Sequence, residues 1–411
     1  VVNTEEELTP AETKARVVAL CLVFAVVIFF WMAFHQNGLA LTYFADEFTA
    51  KTSEGVQSMA FNVWNLVVVI VAVYAAFSAF QSESKNGKLL SWAVVLAAVA
   101  FLVWKALNVS GTVDVSAPIF QHFNPFYVVA LTPVSMAIFG SLAKKGKEPS
   151  APRKIAYGMM VAAVGFAIMA IGSRGLNTPN DQARAIAVDK AQVIANDLFA
   201  AQLSGDEAKI KSAEKAKSDF EGKLTENTKD VFAQVFDAQT VLLTAGIVET
   251  PAATEEAAPV VEEAVEVVTE EAAPVVEETV EVVTEETAPV VEEAVAEAQA
   301  TLDAIKAETK PQTRTSAYWL ILTYLVLTFA ELLLSPMGIS FVSKVAPPKL
   351  KGLMMGGWFV ATAIGNLLVA VGGFLWAGLP LWSVWAVFIV LCLLSALFMF
   401  VMMKRLESVT K

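Results

Sequence analysis

The chain has 411 residues, 56% of them hydrophobic and 17% charged, with a formal net charge of −12 at pH 7. A mean hydropathy of +0.58 is too apolar for an ordinary soluble protein and places the chain in the membrane class. The two cysteines, Cys21 and Cys392, lie in apolar runs, and no zinc-ligand spacing, glycine-rich phosphate loop or nucleophile elbow occurs, so no disulfide framework, metal, cofactor, enzyme chemistry or nucleic-acid partner is expected.

In chain order, eight apolar runs fall near 17–44, 60–80, 89–108, 120–142, 154–174, 317–343, 353–377 and 381–403. Each is long enough to cross a hydrocarbon core of about 30 Å as a helix. Only a helix satisfies its own backbone there, so the expected class is an all-α membrane protein with eight membrane helices. The first run contains "FFWMAFHQNGLALTYF", with His35, Gln36 and Asn37 in an apolar setting. The fourth contains "FQHFNPFYVV", with Asn124 directly before Pro125. The sixth contains "LTFAELLLSPMGISF", in which Glu331 and Ser335 stand one helical turn apart on one face. The seventh, "LMMGGWFVATAIGNLL", carries Trp358 and Asn366. Pro125, Pro133 and Pro336 suit membrane helices better than soluble ones.

Lysine and arginine set the orientation. With the N-terminus inside, the inner segments 1–16, 81–88, 143–153, 344–352 and 404–411 and their flanks carry fifteen basic residues, whereas the short outer loops 45–59, 109–119 and 378–380 carry only Lys51. The positive-inside rule therefore predicts a multi-pass protein of the cell (inner) membrane with both termini cytoplasmic and 175–316 outside, which is periplasmic in a Gram-negative cell.

That long segment is a different material. It holds 29 acidic and 11 basic residues, a net of −18, so the remainder of the chain is net +6. A fifteen-residue repeat covers 254–298: "TEEAAPVVEEAVEVV", "TEEAAPVVEETVEVV" and "TEETAPVVEEAVAEA". Such repeats read as a solvated, self-repelling spacer, or as an arm that binds cations or a partner. Residues 181–240 and 290–308 have helix-forming composition, with Asn180 or Asp181 as candidate N-cap. The expected organisation is thus membrane helices over 1–174, an outer insertion over 175–316, and membrane helices with a cytoplasmic tail over 317–411.

The polar residues inside the membrane carry the functional argument. A charged carboxylate at a helix centre costs about 2.5–3.5 kcal/mol on insertion scales and normally faces a polar cavity on an ion or substrate path. Each has a structural alternative. Glu331 and His35 can bond between helices, Asn124 can cap the backbone group freed by Pro125, Ser335 can bond back to its own helix, and Trp358 can pack beside Gly356 and Gly357. Trp319 and Trp382 suit an interfacial belt, and His122 lies near a helix end.

The run "WLILTYLVLTFAELLLSPMGISFVSKVAPPKLKGLMMGGWFVATAIGNLL" resembles helices ten and eleven of the proton-dependent oligopeptide transporter family, part of the major facilitator superfamily. "FFWMAFHQNGLALTYFA" is similar to its seventh helix, "FQHFNPFYVVALTPV" to its eighth and "PRKIAYGMMVAAVGFAIMAIG" to its ninth. The resemblance implies the C-terminal six-helix bundle of a major facilitator fold, with 60–108 as an extra transmembrane hairpin. It implies that short peptides and protons are the ligands. Glu331 of the E-x-x-x-S-P block would engage the peptide amino terminus, Ser335 would line the same site, Asn124 would touch the peptide backbone, and Trp358 would shape a side-chain pocket. The seventh-helix position four after Trp31 is often acidic in the family and linked to protonation. Here it is His35, which titrates near physiological pH, with Trp31 and Gln36 beside it.

The sequence departs from the family's pattern in three places. The N-terminal six-helix bundle, with its E-x-x-E-R-F motif, is missing from this chain, which begins at Val1, so the chain is expected to be the C-terminal half of a transporter. The hairpin is an addition, and the acidic repeats match nothing in the family. The function expected is proton-coupled symport of di- and tripeptides by alternating access. The alternatives are a membrane-anchored scaffold displaying the acidic arm, or a related carrier for another small solute.

Overall fold

The computed structural model describes residues 8–246 and 288–409. Among them the chain is predominantly helical, and eight helical stretches are long and apolar enough to cross a membrane, one for each apolar run. The first two of the three acidic repeats, and the start of the third, lie outside the described residues.

The described residues divide into two units, 1–179 with 313–411, and 180–312. In the first unit, Thr9 starts the first span. Its hydroxyl accepts from the Glu12 N–H at 3.3 Å, the Glu12 carboxylate accepts the Thr9 N–H at 2.9 Å, and Pro10 sits in the first turn, where a missing N–H is tolerated. Helix α1 (Pro10–Phe34) then gives way to a 3₁₀ turn, His35–Gly38, before α2 (Ala40–Glu47). The hairpin follows as α3 (Val63–Gln81), capped by Asn62, and α4 (Lys85–Leu107), capped by Ser84. It is a peripheral element: α3 leans on the next helix, and Trp64, Phe80 and Leu107 are at least three-quarters exposed, as side chains that meet lipid must be. Short strands β1 (Thr52–Glu54) and β2 (Thr112–Asp114) pair antiparallel, Ser53 opposite Val113, and tie together the loops on either side of the hairpin.

Helix α5 (Phe123–Lys144) contains Pro133, and α6 (Ala151–Gly172) runs deep in the unit with Ile155, Ala156, Met159, Ala162 and Phe166 buried. Its glycines at seven-residue spacing form the seam that positions the site. A Cβ at Gly158 would stand 2.9 Å from the Ala330 carbonyl oxygen, one at Gly165 2.9 Å from Leu327 Cδ2, and one at Gly172 2.6 Å from Trp319 Cγ. Small residues at such spacing let two membrane helices approach closely. The partner on this seam is α11 (Tyr318–Val345), which runs antiparallel to α6. Trp319, expected in an interfacial belt, is half-buried against Gly172, whereas Trp382 is 61% exposed.

The seventh span is α12 (Lys351–Leu367), a turn at Leu368–Val369, and α13 (Ala370–Gly378). Helix α14 (Leu381–Val401) closes the unit through Trp385, whose indole N–H donates to Ser173 at 2.8 Å and whose ring stacks on Phe166. A short tail helix, α15 (Met403–Ser408), returns to the start of α6, where the Glu407 carboxylate meets Arg153 at 2.7 Å and accepts from Ser150 at 2.7 Å. Beside it the buried Lys154 is paired with Glu148 and lies over the Phe139 ring, so its charge is not left unmatched.

The second unit holds α7 (Pro179–Leu203), α8 (Glu207–Glu221), α9 (Glu226–Thr244) and α10 (Ala288–Glu308). Phe232, Val235, Leu242, Leu302 and Ala191 form a core of its own. Because α7 already begins at Pro179, Asn180 and Asp181 lie inside its first turn, and the expected N-cap at either residue is corrected. Inside the unit a chain of amides runs from Gln192 through the buried Gln239 to Asn196, each step 3.1 Å.

Candidate functional site

Helix α11 carries a polar stripe. Tyr324, Thr328, Glu331 and Ser335 follow at intervals of four, three and four residues, which places them on one face. Asn124, on the first turn of α5, reaches across to this stripe. Its amide nitrogen donates to Thr328 Oγ1 at 3.1 Å and to Glu331 Oε2 at 3.0 Å. Glu331 and Ser335 are half-buried, and among the described residues no lysine, arginine or histidine lies within 4.0 Å of the Glu331 carboxylate. A hydrogen bond from a neutral amide therefore orients this carboxylate without cancelling its charge.

Gly338, next along the stripe, has no room for a side chain, because a Cβ there would overlap the Trp358 ring. Trp358, only 2% exposed, lies against α11 on one side and meets the Phe24 ring edge-on at 6.4 Å on the other. Trp31 packs on the same two helices, α1 and α12, two turns further along. Its Cβ would lie 2.6 Å from a Cβ at Gly365, its buried indole N–H has no hydrogen-bond partner among the described residues, and its ring stacks on His35 at 5.2 Å. His35 is half-buried and opens the 3₁₀ turn.

The structure thus brings the expected residues together in two groups. Asn124, Glu331 and Ser335, with Trp358 beneath them, form one. Trp31 and His35 form the other. Gln36 faces elsewhere: it is fully buried, and its amide donates to the Met32 and Val369 carbonyls, both at 3.1 Å. Asn366 is exposed, and so is His122. A residue that the sequence reading did not single out joins the two groups. Tyr324, on the Glu331 stripe, donates its hydroxyl to the Asn37 carbonyl at 3.0 Å, inside the turn that His35 opens. Thr328 was also missed, although a hydroxyl three residues before a lone membrane carboxylate is a signal that was there to read. Glu47 was placed in an outer loop. It ends α2 instead, half-buried, and accepts the Trp376 indole N–H at 3.1 Å.

The family model described as PTR2, POT family, matches residues 92–195 and 287–373. Over these two stretches, a little under half of its length, the chain is similar to the POT family. Asn124, Glu331, Ser335 and Trp358 lie within the matched stretches, and Trp31, His35 and Gln36 lie outside them. Among similar proteins, a peptide transporter of Yersinia enterocolitica, YePEPT, is 34% identical over 102 residues, 23% of this chain and 20% of that protein. A dipeptide and tripeptide permease B of Salmonella typhimurium is 29% identical over 132 residues, 28% of this chain and 27% of that one. Solute carrier family 15 member 2 of Rattus norvegicus is 33% identical over 101 residues, 25% of this chain and 14% of that one. The chain therefore spans about a quarter or less of the length of these POT-family relatives. A crystal structure of an auto-inhibited POT family peptide transporter covers 97% of this chain and 90% of its own, at 16% identity and a TM-score of 0.20, too low a score to speak to the fold.

Proposed function

We propose that this chain is the C-terminal membrane half of a proton-coupled symporter for di- and tripeptides, working by alternating access. The observation that carries the reading is the Asn124–Glu331 pair, a carboxylate on an apolar helix held by a neutral amide. A peptide ammonium would complete it. The ammonium pairs with the ionised carboxylate and is released when the carboxylate takes a proton, so no covalent step is required. Ser335 would line the same site, Trp358 would floor a side-chain pocket, and Trp31 would form its far wall, with His35 beside it as a second proton-accepting group and Gln36 behind, bracing the turn through its bond to the Val369 carbonyl. The proposal includes an N-terminal six-helix bundle as the facing wall of the cavity, and the peptide transporters among the relatives support the substrate class. It also places the protein in the cell membrane with both termini inside and 175–316 outside, 60–108 being an added hairpin.

Proton-driven uptake of a labelled dipeptide by the full-length protein in liposomes tests this. Concentrative uptake is expected, and Glu331→Gln, which keeps size and some hydrogen bonding while removing the titratable charge, should cut it by about tenfold or more, the worth of one hydrogen bond to a charged group. Wild-type protein that inserts normally but moves no dipeptide would overturn the reading and favour a scaffold for the acidic arm. Unchanged concentrative uptake by Glu331→Gln would remove the role given to that residue.

A further inference from the structure

Two spans of the first unit are interrupted, and the interruptions face each other. In the first span, α1 passes through the His35–Gly38 turn into α2, with the Leu39 N–H bonded to the Gln36 carbonyl at 3.1 Å. In the seventh, α12 passes into α13 through bonds of the tighter 3₁₀ kind: Val369 N–H to Asn366 O at 3.3 Å, Val371 N–H to Leu368 O at 3.0 Å, and Gly372 N–H to Val369 O at 2.9 Å. Such segments within a helix often mark a hinge. Gln36 crosses from one turn to the other through its bond to the Val369 carbonyl, and Gly372 packs so closely on the Gln36 amide that a Cβ would overlap it.

Beyond the turns the two half-helices are joined to each other. The Trp376 indole N–H of α13 donates to the Glu47 carboxylate of α2 at 3.1 Å, and the same indole packs on Tyr43 at 5.8 Å and Phe48 at 5.9 Å. Both half-helices also touch α14 through rings around Trp385, Phe44 and Trp376 each at 6.0 Å, and α13 runs on into α14 through Leu379 and Pro380. Ring contacts of this kind have no fixed donor geometry and permit small sliding. The end of α2 is also bonded to the strand-like residue ahead of α11, Thr315 N–H to Phe48 O at 2.7 Å and Ala50 N–H to Thr315 O at 3.0 Å. A movement of α2 is thereby transmitted to the helix that carries Glu331.

We propose that α2 and α13 form one rigid lever that gates the Glu331 site, swinging about the paired turns at His35–Leu39 and Leu368–Val369, with Glu47 and Trp376 as the positioning residues that hold the two half-helices together. The purpose of the lever rests on the transport reading, whereas its mechanics do not.

Spin labels on the full-length protein in nanodiscs separate the two. Labels at Asp46→Cys and Phe374→Cys, with Cys21→Ser, report the lever itself, and labels at native Cys21 and Asp46→Cys span the hinge. The distance within the lever should stay narrow and unshifted when a dipeptide is added, while the hinge-spanning distance shifts. Glu47→Met, which removes the acceptor, should broaden the distance within the lever without any ligand. It should lower turnover at saturating dipeptide by about tenfold and leave dipeptide affinity within about twofold, since at least one bond to a carboxylate is lost. Glu47→Gln still accepts the indole N–H and should restore most of both. The lever is overturned if the two half-helices separate when the hinge distance shifts, if Glu47→Met leaves the lever distance and turnover as in the wild type, or if Glu47→Gln behaves like Glu47→Met. A wild-type protein that binds no dipeptide sinks the peptide reading alone, because the ligand-free broadening is still measured.

Discussion

Replacing Gly158 by alanine probes how the site is held. The added Cβ would stand 2.9 Å from the Ala330 carbonyl oxygen and 3.3 Å from the Cβ atoms of Leu333 and Leu334. Ordinary non-bonded contact begins at about 3.5 Å, so α6 and α11 must part by roughly half an ångström, and the obstacle is backbone that cannot rotate away. Overpacking of this kind costs about 1–3 kcal/mol. Against it stands the gain of alanine over glycine in a helix, about 0.8–1.0 kcal/mol. Gly165→Ala carries the same helix gain but meets the end of the Leu327 side chain, Cδ2 at 2.9 Å and Cγ at 3.1 Å, which can change rotamer. The difference between the two variants removes the common gain and reads how much more a backbone clash costs than a side-chain one. Gly158→Ala should be less stable than Gly165→Ala by about 1–2 kcal/mol, measured by equilibrium unfolding of the purified protein in mixed micelles. It should also weaken dipeptide binding, because Glu331 follows Ala330 and moves with it relative to Asn124. A Gly158→Ala protein as stable as Gly165→Ala would refute the reasoning, since the seam would then not be closed at that point.

Three further outcomes are expected. His35→Ala should damage proton-driven accumulation more than peptide counterflow, because exchange proceeds without net proton movement; equal loss of both with a lowered melting temperature would assign His35 to holding Trp31 in place, the ring it stacks on. Deleting the two repeats at 254–283 should leave insertion and uptake unchanged, because they are highly charged and lack aromatic residues. Deleting 288–300 should lower the stability of the second unit, because it removes Ala298 from that unit's core. Lost uptake at normal membrane levels in the first deletion would make the arm functional.

The eight spans were legible because hydropathy over about twenty residues is a strong signal, and so was Glu331, a carboxylate in a run that excludes charge. Its partners were only half legible. Asn124 stands out beside Pro125, but nothing local says that its amide crosses to α11, since that depends on the closeness permitted by Gly158 and Gly165. Gln36 shows the opposite failure. Its place among His35 and Asn37 suggests a cavity residue, yet its amide is spent on the carbonyls of two helix turns. The interruption at Leu368–Val369 lies in "NLLVAVGG", which has no proline and reads as continuous helix. Glu47 and Trp376 are separated by more than three hundred residues, and pairing across that distance has no signature in a single sequence. The core of the second unit was hidden for a different reason: alanine-rich, charged helices look alike whether they pack or stay solvated, and here Phe232 and Leu302 decide between the two.

The manner in which Glu331 is bonded bears on what it can do. Asn124 and Thr328 are neutral, and the asparagine amide is a donor that serves the carboxylate at 3.0 Å while also serving the hydroxyl. Had a lysine stood at Thr328, the carboxylate would sit in a fixed ion pair, and breaking a buried pair costs about 3–5 kcal/mol, enough to slow any exchange of partners. The bond from the Asn124 amide is one to a charged group, worth about 1.5–3 kcal/mol when the carboxylate is ionised, less than a buried ion pair, so it fixes direction while leaving the charge unpaired. A carboxylate oriented in this way can accept and release a charged ligand repeatedly. The same stripe continues to Tyr324, whose hydroxyl donates to the Asn37 carbonyl, so the helix face that bears Glu331 is bonded directly to the turn at the base of α2.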